Sequence, residues 1–211
     1  MLCIAEEAGR LWVAESNDQK RGWVPRRALE SWLCLMHEVE LLRVPLLFGR
    51  AHAAVTLYLS EGGAVATRGV GGGSRSAASR VVMRSGRHFV QFTTVSLYAT
   101  MFGVIRPECD VEGGQRAYTV GGHCFYNTYN GSRNPGDRSW EGMQTAKEHG
   151  DRIGMLLDLD QGSMTVWKND VKLGVMVTEG LSGEFCWAVE LFGGGDSARI
   201  ESAPLPEQRC K

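Results

Sequence analysis

The residues whose spacing most invites chemistry lie in GDRIGMLLDLDQGSMTVWKNDVKLGVM, residues 150–176, where Asp158 and Asp160 stand two apart and precede Gly162. Paired acids of this kind open calcium loops or serve as acid/base pairs. In a calcium loop starting at Asp158, the glycine belongs at the sixth position and the bidentate acid at the twelfth. Those positions hold Ser163 and Asn169, so the loop fails. On a strand, two acids at this spacing face the same way, about 6–7 Å apart at Cα, and nothing in the sequence places a partner acid opposite them. Here Ile153, Met155, Leu157 and Leu159 alternate with Gly154, Leu156, Asp158 and Asp160. That is the pattern of a strand buried on one side and partly covered on the other. The acids are expected to stabilise the turn at Gln161-Gly162.

The remaining chemical side chains give no site. The six cysteines (Cys3, Cys34, Cys109, Cys124, Cys186 and Cys210) are scattered without a C-x-x-C pair, so zinc is not expected. Cys124 and Cys186 fall inside apolar, strand-like runs and read as small buried side chains. His88 and His123 lie in similar runs with no nucleophile or acid at a recognisable spacing, and both read as structural. The expectation is a protein without catalytic residues, metal or cofactor.

The elements that carry these residues follow from composition. At 211 residues, with 43% apolar and 22% charged side chains, the chain suits one sizeable core and a small appendage. Its 27 glycines predict many tight turns and short strands. A net charge of −1 gives no electrostatic reason to bind nucleic acid or an anionic membrane. No apolar run approaches the roughly 18 residues of a membrane span. MLCIAEEAGR has acids where a secretory signal carries basic residues, so an intracellular, cytoplasmic protein is expected.

Three zones are distinguishable. Residues 1–50 form an N-terminal extension; in it Trp32, Leu35, Met36, Val39 and Leu42 recur at helical spacing, predicting an amphipathic helix over 28–44 that ends before Pro45. GVGGGSRSAAS, residues 69–79, reads as a mobile loop inserted between the strand-like runs AVTLYL and RVVMR. From about Arg80 to Ser202 the runs GRHFVQFTTV, MFGVIR, HCFYNT, RIGMLLDL, SMTVWK, VKLGVMV, CWAVELF and SARIES succeed one another with turn residues between them. No helical period of any length intervenes, which argues for an antiparallel sandwich spanning 51–204, with 205–211 as a tail. RIGMLLDL, SMTVWK and VKLGVMV predict a meander with Asn169-Asp170 as its second turn, and with Val171, Leu173, Val175 and Val177 aligned on one face.

On these motifs the chain resembles the SPRY domain family. Gly-Asp-x-Ile-Gly, the following Leu-Asp and glycine turn, the strand ending in an x-Asn turn and the Leu-Gly after it are similar to that family's signature. RSGRHFVQF, MFGVIR and FCWAVELFGGGDSARIES resemble its opening, second and closing strands, so the likeness covers residues 54–202. Asp170 in place of the hairpin glycine, Val90-Gln91 where Trp-Glu is usual, and the glycine-rich loop are departures. The opening stretch, with Trp12, Gly22, Trp23, Pro25 and Leu29, also resembles the last third of a Src-homology-three domain, about three strands short of a whole one.

The SPRY resemblance implies an all-β, bent antiparallel sandwich of concanavalin-like topology. It also implies a non-catalytic module that presents variable loops to a protein or peptide, often as the substrate-recognition part of a ubiquitin ligase or other assembly. Carried over by position, the partner-binding rim would comprise Arg68, Arg106, Tyr118, Phe192 and Gly193. The segment between Arg106 and Gly142 is glycine-rich and aromatic, and aromatics with arginine on anchored loops are what interface centres favour. Tyr126, Tyr129 and Trp140 are surrounded by strand signals and read as packing residues. The alternative is a carbohydrate-binding or glycan-active protein on the same sandwich architecture.

Overall fold

The computed structural model describes residues 2–7, 10–15, 21–25, 45–52, 57–96 and 99–203, and the chain divides into two compact units, Met1–Val44 and Pro45–Lys211. In the first unit β1 (Leu2–Glu7), β2 (Arg10–Glu15) and β3 (Arg21–Pro25) form an antiparallel sheet, with Trp12 opposite Trp23. The helix expected over 28–44 lies outside the described residues.

The second unit is a sandwich of two antiparallel sheets. Its strands are β4 (Phe48–Ala51), β5 (Leu57–Ser60), β6 (Val65–Arg68), β7 (Arg75–Ser79), β8 (Arg87–Ser96), β9 (Thr100–Ile105), β10 (Cys124–Asn127) and β11 (Arg133–Asn134), then β12 (Arg152–Asp158), β13 (Ser163–Lys168), β14 (Val171–Val177), β15 (Cys186–Leu191) and β16 (Ser197–Glu201). One sheet has six strands in the order β11-β10-β9-β15-β7-β4. The other has seven, in the order β14-β13-β12-β8-β16-β6-β5. Among the described residues no helix is long and apolar enough to cross a membrane.

Period-two alternation sends one face of each sheet into a shared core. Phe102, Val104, Tyr126, Trp187, Val189 and Leu191 from the six-stranded sheet meet Val90, Phe92, Ile153, Met155, Leu157 and Val166 from the other. Phe92 stacks on Phe102, with ring centroids 4.8 Å apart, and meets Trp187 edge-on. A second, smaller core lies on the opposite face of the six-stranded sheet. There Ala78, Met101, Ile105, Phe125, Cys186 and Ala188 are covered by Cys109, Val111 and Ala117 of the long connection between β9 and β10. β9 can approach β10 closely because Gly103 has no side chain: a Cβ there would sit 2.0 Å from the Cys124 carbonyl oxygen.

The first two strands of the 150–177 meander form as the alternation predicts. Ile153, Met155 and Leu157 are buried in the core, and β12 pairs with β13 in continuous register from Ile153–Lys168 to Asp158–Ser163. Asp158 Oδ1 accepts the backbone N–H groups of Asp160 and Gln161 at 3.1 and 3.0 Å, and Asp160 Oδ1 accepts that of Gly86 at 3.0 Å. Asp158 therefore stabilises its own turn, as expected, whereas Asp160 ties that turn to the bend at Gly86 before β8. Asn169 and Asp170 adopt φ of 49° and 68°, the left-handed pair that a tight hairpin needs even without glycine.

Three expectations need correction. In β14, register shifts opposite Met164/Thr165 and Val166/Trp167 break the alternation, so Leu173 and Val177 pack on the core while Val171 and Val175 face solvent. GVGGGSRSAAS is loop only as far as Ser74. Residues 75–79 are β7, paired to β15 on one side and β4 on the other, with Ala77, Ala78 and Ser79 fully buried. Small residues with little strand propensity fit there because both faces of the strand are covered. RVVMR is no strand: only Met83 bridges, to Phe185, while Val81 is half exposed.

Candidate functional site at the loop rim

The β15 strand sets the geometry of the site, because its two ends carry different groups of candidates. At its C-terminal end Leu191 pairs with Arg75 on β7 and Thr100 on β9. Three loops converge there: 69–74, 116–120 and 192–196. At its N-terminal end Cys186 pairs with Ile105, and Arg106 follows immediately.

Phe192 and Gly193 open the turn after β15. The carboxylate of buried Asp196 holds that turn by accepting the N–H groups of Phe192 and Gly193 at 3.2 and 2.5 Å. Tyr118 sits on a single 3-10 turn, Ala117–Thr119, and its ring packs against Phe192 with centroids 5.2 Å apart. Both rings are half-buried, one side against the second core and the other open. Val70, at the tip of the neighbouring loop, is 91% exposed. A Cβ on Gly194 would lie 3.5 Å from the Val70 Cα, so the two loops touch.

Arg68 ends β6 and is buried, and its guanidinium turns inward on its own loop. Nε donates to Gly73 O at 3.1 Å, and Nη2 donates to the carbonyls of Gly71, Gly72 and Gly73. Its backbone donates to Asp196 O and accepts from Gly195 N–H, both at 2.8 Å, which knits the glycine-rich loop to the 192–196 turn. Arg68 thus shapes the rim from beneath. Arg106 stands apart: Nη1 donates to Ser182 O at 2.7 Å and Glu184 O at 3.2 Å, and the guanidinium lies 4.1 Å from the Phe185 ring centroid. The six residues of β15 separate it from Phe192, roughly 17–20 Å along the strand. The fold therefore unites Arg68, Tyr118, Phe192 and Gly193 and leaves Arg106 at the opposite end.

Glu190 escaped the sequence reading. It is fully buried on the face covered by the β9–β10 connection, and Ser76 Oγ donates to its Oε2. Ser76 Oγ also accepts the Ala117 N–H at 2.8 Å. Burial pushes the Glu190 carboxyl above its usual range, against the opposing influence of the Ser74 and Ser76 hydroxyls, the Ala117 backbone and the Arg116 charge. A glutamate two residues before a turn, in a run as apolar as CWAVELF, was the available signal.

The other chemical side chains are occupied. His123 bridges Val120 O and Asn134 Oδ1, and His88 bonds Ser85 O. Tyr126 bonds Gln144 O from the core and meets Trp140 edge-on, while exposed Tyr129 receives the Lys147 ammonium over its ring. Burial pushes the Cys124 thiol up to about 12, so it stays protonated and inert at neutral pH.

With this geometry established, comparison with solved structures identifies the architecture as the SPRY fold. The SPRY domain of human HERC1 superposes with a TM-score of 0.56 at 17% identity, over 74% of this chain and 94% of that one. The TRIM65 PSpry domain gives 0.54 at 16% identity, over 74% and 89%. A human SPRY domain gives 0.51 at 15% identity, over 69% and 94%. No family model and no curated protein matches the chain by sequence.

Proposed function

We propose that this chain is a non-catalytic protein-binding module whose partner, a peptide or protein surface, seats on the rim made by loops 69–74, 116–120 and 192–196. The observation that carries this reading is the Tyr118–Phe192 pair: two half-open aromatic rings in contact, each on a loop held from below by internal hydrogen bonds. Rigid aromatic surface gives large contact area at little entropic cost, which is what binding hot spots use. Val70 and Gly193 extend the patch, and Arg68 preorganises it. The fold it shares with the SPRY domains of HERC1 and TRIM65 supports the same reading. A role as the substrate-recognition part of a ubiquitin ligase is the finer form of the proposal, and co-purification of a ligase adaptor is its test.

The main test compares proteins captured by the wild type with those captured by the Tyr118→Ala, Phe192→Ala double variant. Specific partners are expected to be lost while the circular dichroism spectrum is unchanged. Identical partner sets would move the site away from this rim. Binding on a glycan array that survives the same double variant would favour the sugar-binding alternative.

A further inference from the structure

Beneath the rim, Glu190 is linked to the Tyr118 turn by a continuous chain of hydrogen bonds. Ala117 N–H donates to Ser76 Oγ, and Ser76 donates to Glu190 Oε2. The other carboxyl oxygen, Oε1, is buried without a hydrogen-bond partner, and so is the hydroxyl of Ser74, which lies near enough to the same carboxyl to act against its upward shift. We propose that Glu190 is a protonation-sensitive latch: neutral, it holds the 116–120 turn and its Tyr118 ring on the six-stranded sheet, and ionised, it favours release of that turn.

The geometry dictates the direction. A carboxylate sealed from water with one oxygen unpaired is penalised, and the opposing charge of Arg116 acts on it only at a distance. Among the described residues, few charged and titratable groups lie around it. From the covering segment come Arg116, exposed and lying over Gly73, and Cys109, whose buried thiol is pushed up mainly by desolvation and stays neutral. On β7, Arg75 turns its guanidinium to the Gly73 and Ser74 carbonyls, and β9 offers Met101 opposite Glu190. The Ser74 and Ser76 hydroxyls can serve either form, because a hydroxyl both donates and accepts, so what separates the two forms is the cost of keeping the charge out of water. Ionisation incurs that cost, and water then becomes the better partner, reached by lifting the 116–118 turn.

The sign follows by linkage. In the closed state the carboxyl titrates above the usual 4.5, and in the open state it returns towards that value. Below about pH 4.5 both states are neutral and closure is fully favoured. As pH rises towards the closed-state value, opening releases a proton, so the opening constant grows by up to about tenfold per pH unit and then levels off. Because Tyr118 is the next residue after Ala117 and touches Phe192, the latch sets whether the aromatic pair is assembled.

Hydrogen exchange of the Ala117 amide, corrected for the intrinsic rate and followed from pH 4 to 8 on the protein alone, tests this without a partner. The wild type is expected to lose protection at this amide as pH rises, while amides of β12 and β13 do not change. Glu190→Gln, which keeps the shape and supplies a permanent donor, is expected to remain protected with no pH slope. Ser76→Ala is expected to lose at least tenfold protection at Ala117 even at pH 4. A wild-type slope that persists in Glu190→Gln, or full protection of Ala117 in Ser76→Ala, overturns the latch. Either result would leave the rim reading intact, since that rests on partner capture.

Discussion

Asp151 and Glu190 are both buried carboxylates, and their surroundings drive them in opposite directions. Around Asp151 burial is the largest single influence and acts upward. It is outweighed by the combined bonds from Asn169 Nδ2, Lys168 Nζ and the Glu148 amide, which hold the carboxyl below the usual 3.8. Glu190 has hydroxyls and a distant guanidinium, so burial prevails. The sequence hints at the first case, because Gly-Asp-x-Ile-Gly and the Asn turn are recognisable together. It hides the second, because Ser74 and Ser76 stand more than a hundred residues from Glu190 and only sheet pairing unites them. The stabilisation from Asp151 is fully present above pH 3.8 and fades as pH falls through its lower folded value. Asp151→Asn is therefore expected to cost about 2 kcal/mol at pH 7, with the gap to wild type closing below pH 4 in thermal melts. A gap that is constant with pH would mean the charge of Asp151 is not what stabilises this corner.

At the scale of elements, alternation reveals strands with one buried face and fails where both faces are covered or where a bulge shifts the register. β8 was legible for the first reason, whereas β9, β12, β13 and β15, covered on both faces, were legible as short apolar runs bounded by turn residues. β7 was not, because Ser76, Ala77, Ala78 and Ser79 have no pattern and follow a glycine run. That glycine run is itself held by Arg68, whose Nη2 meets three successive carbonyls while Nε donates to the last of them as well. A lysine ammonium cannot reproduce that spread. Limited proteolysis is accordingly expected to nick Arg68→Ala and Arg68→Lys alike within 69–74, and equal resistance of the lysine variant and the wild type would refute the role of the fork. Glycines can be sorted in the same way. Gly103→Ala forces a Cβ into the backbone of β10 and is expected to destabilise by about 1–3 kcal/mol. Gly121→Ala has open space around it and should stay within about 0.5 kcal/mol of wild type in urea melts.

At the scale of the whole molecule, the sandwich begins earlier than its most recognisable motifs. The resemblance to SPRY domains starts at residue 54, yet β4 precedes it and forms the edge of the six-stranded sheet against β7. Phe48 is buried in the main core, at 1% exposure. Arg50 reaches across to the β9–β10 connection, donating to Pro107 O at 2.8 Å and Cys109 O at 2.6 Å and pairing with Glu112. A four-residue strand with two small residues and an arginine gives little periodic signal, so its place is set by what it covers. Removing β4 deletes a core phenylalanine, worth about 3–5 kcal/mol on its own, and uncovers the backbone of β7. A fragment of residues 45–203 is therefore expected to unfold cooperatively, and one of residues 52–203 to lose most of its stability or to associate through β7. The two would be compared by chemical denaturation and by sedimentation. Equal stability of the two fragments would show that β4 is dispensable, and that the fold ends where the sequence resemblance does.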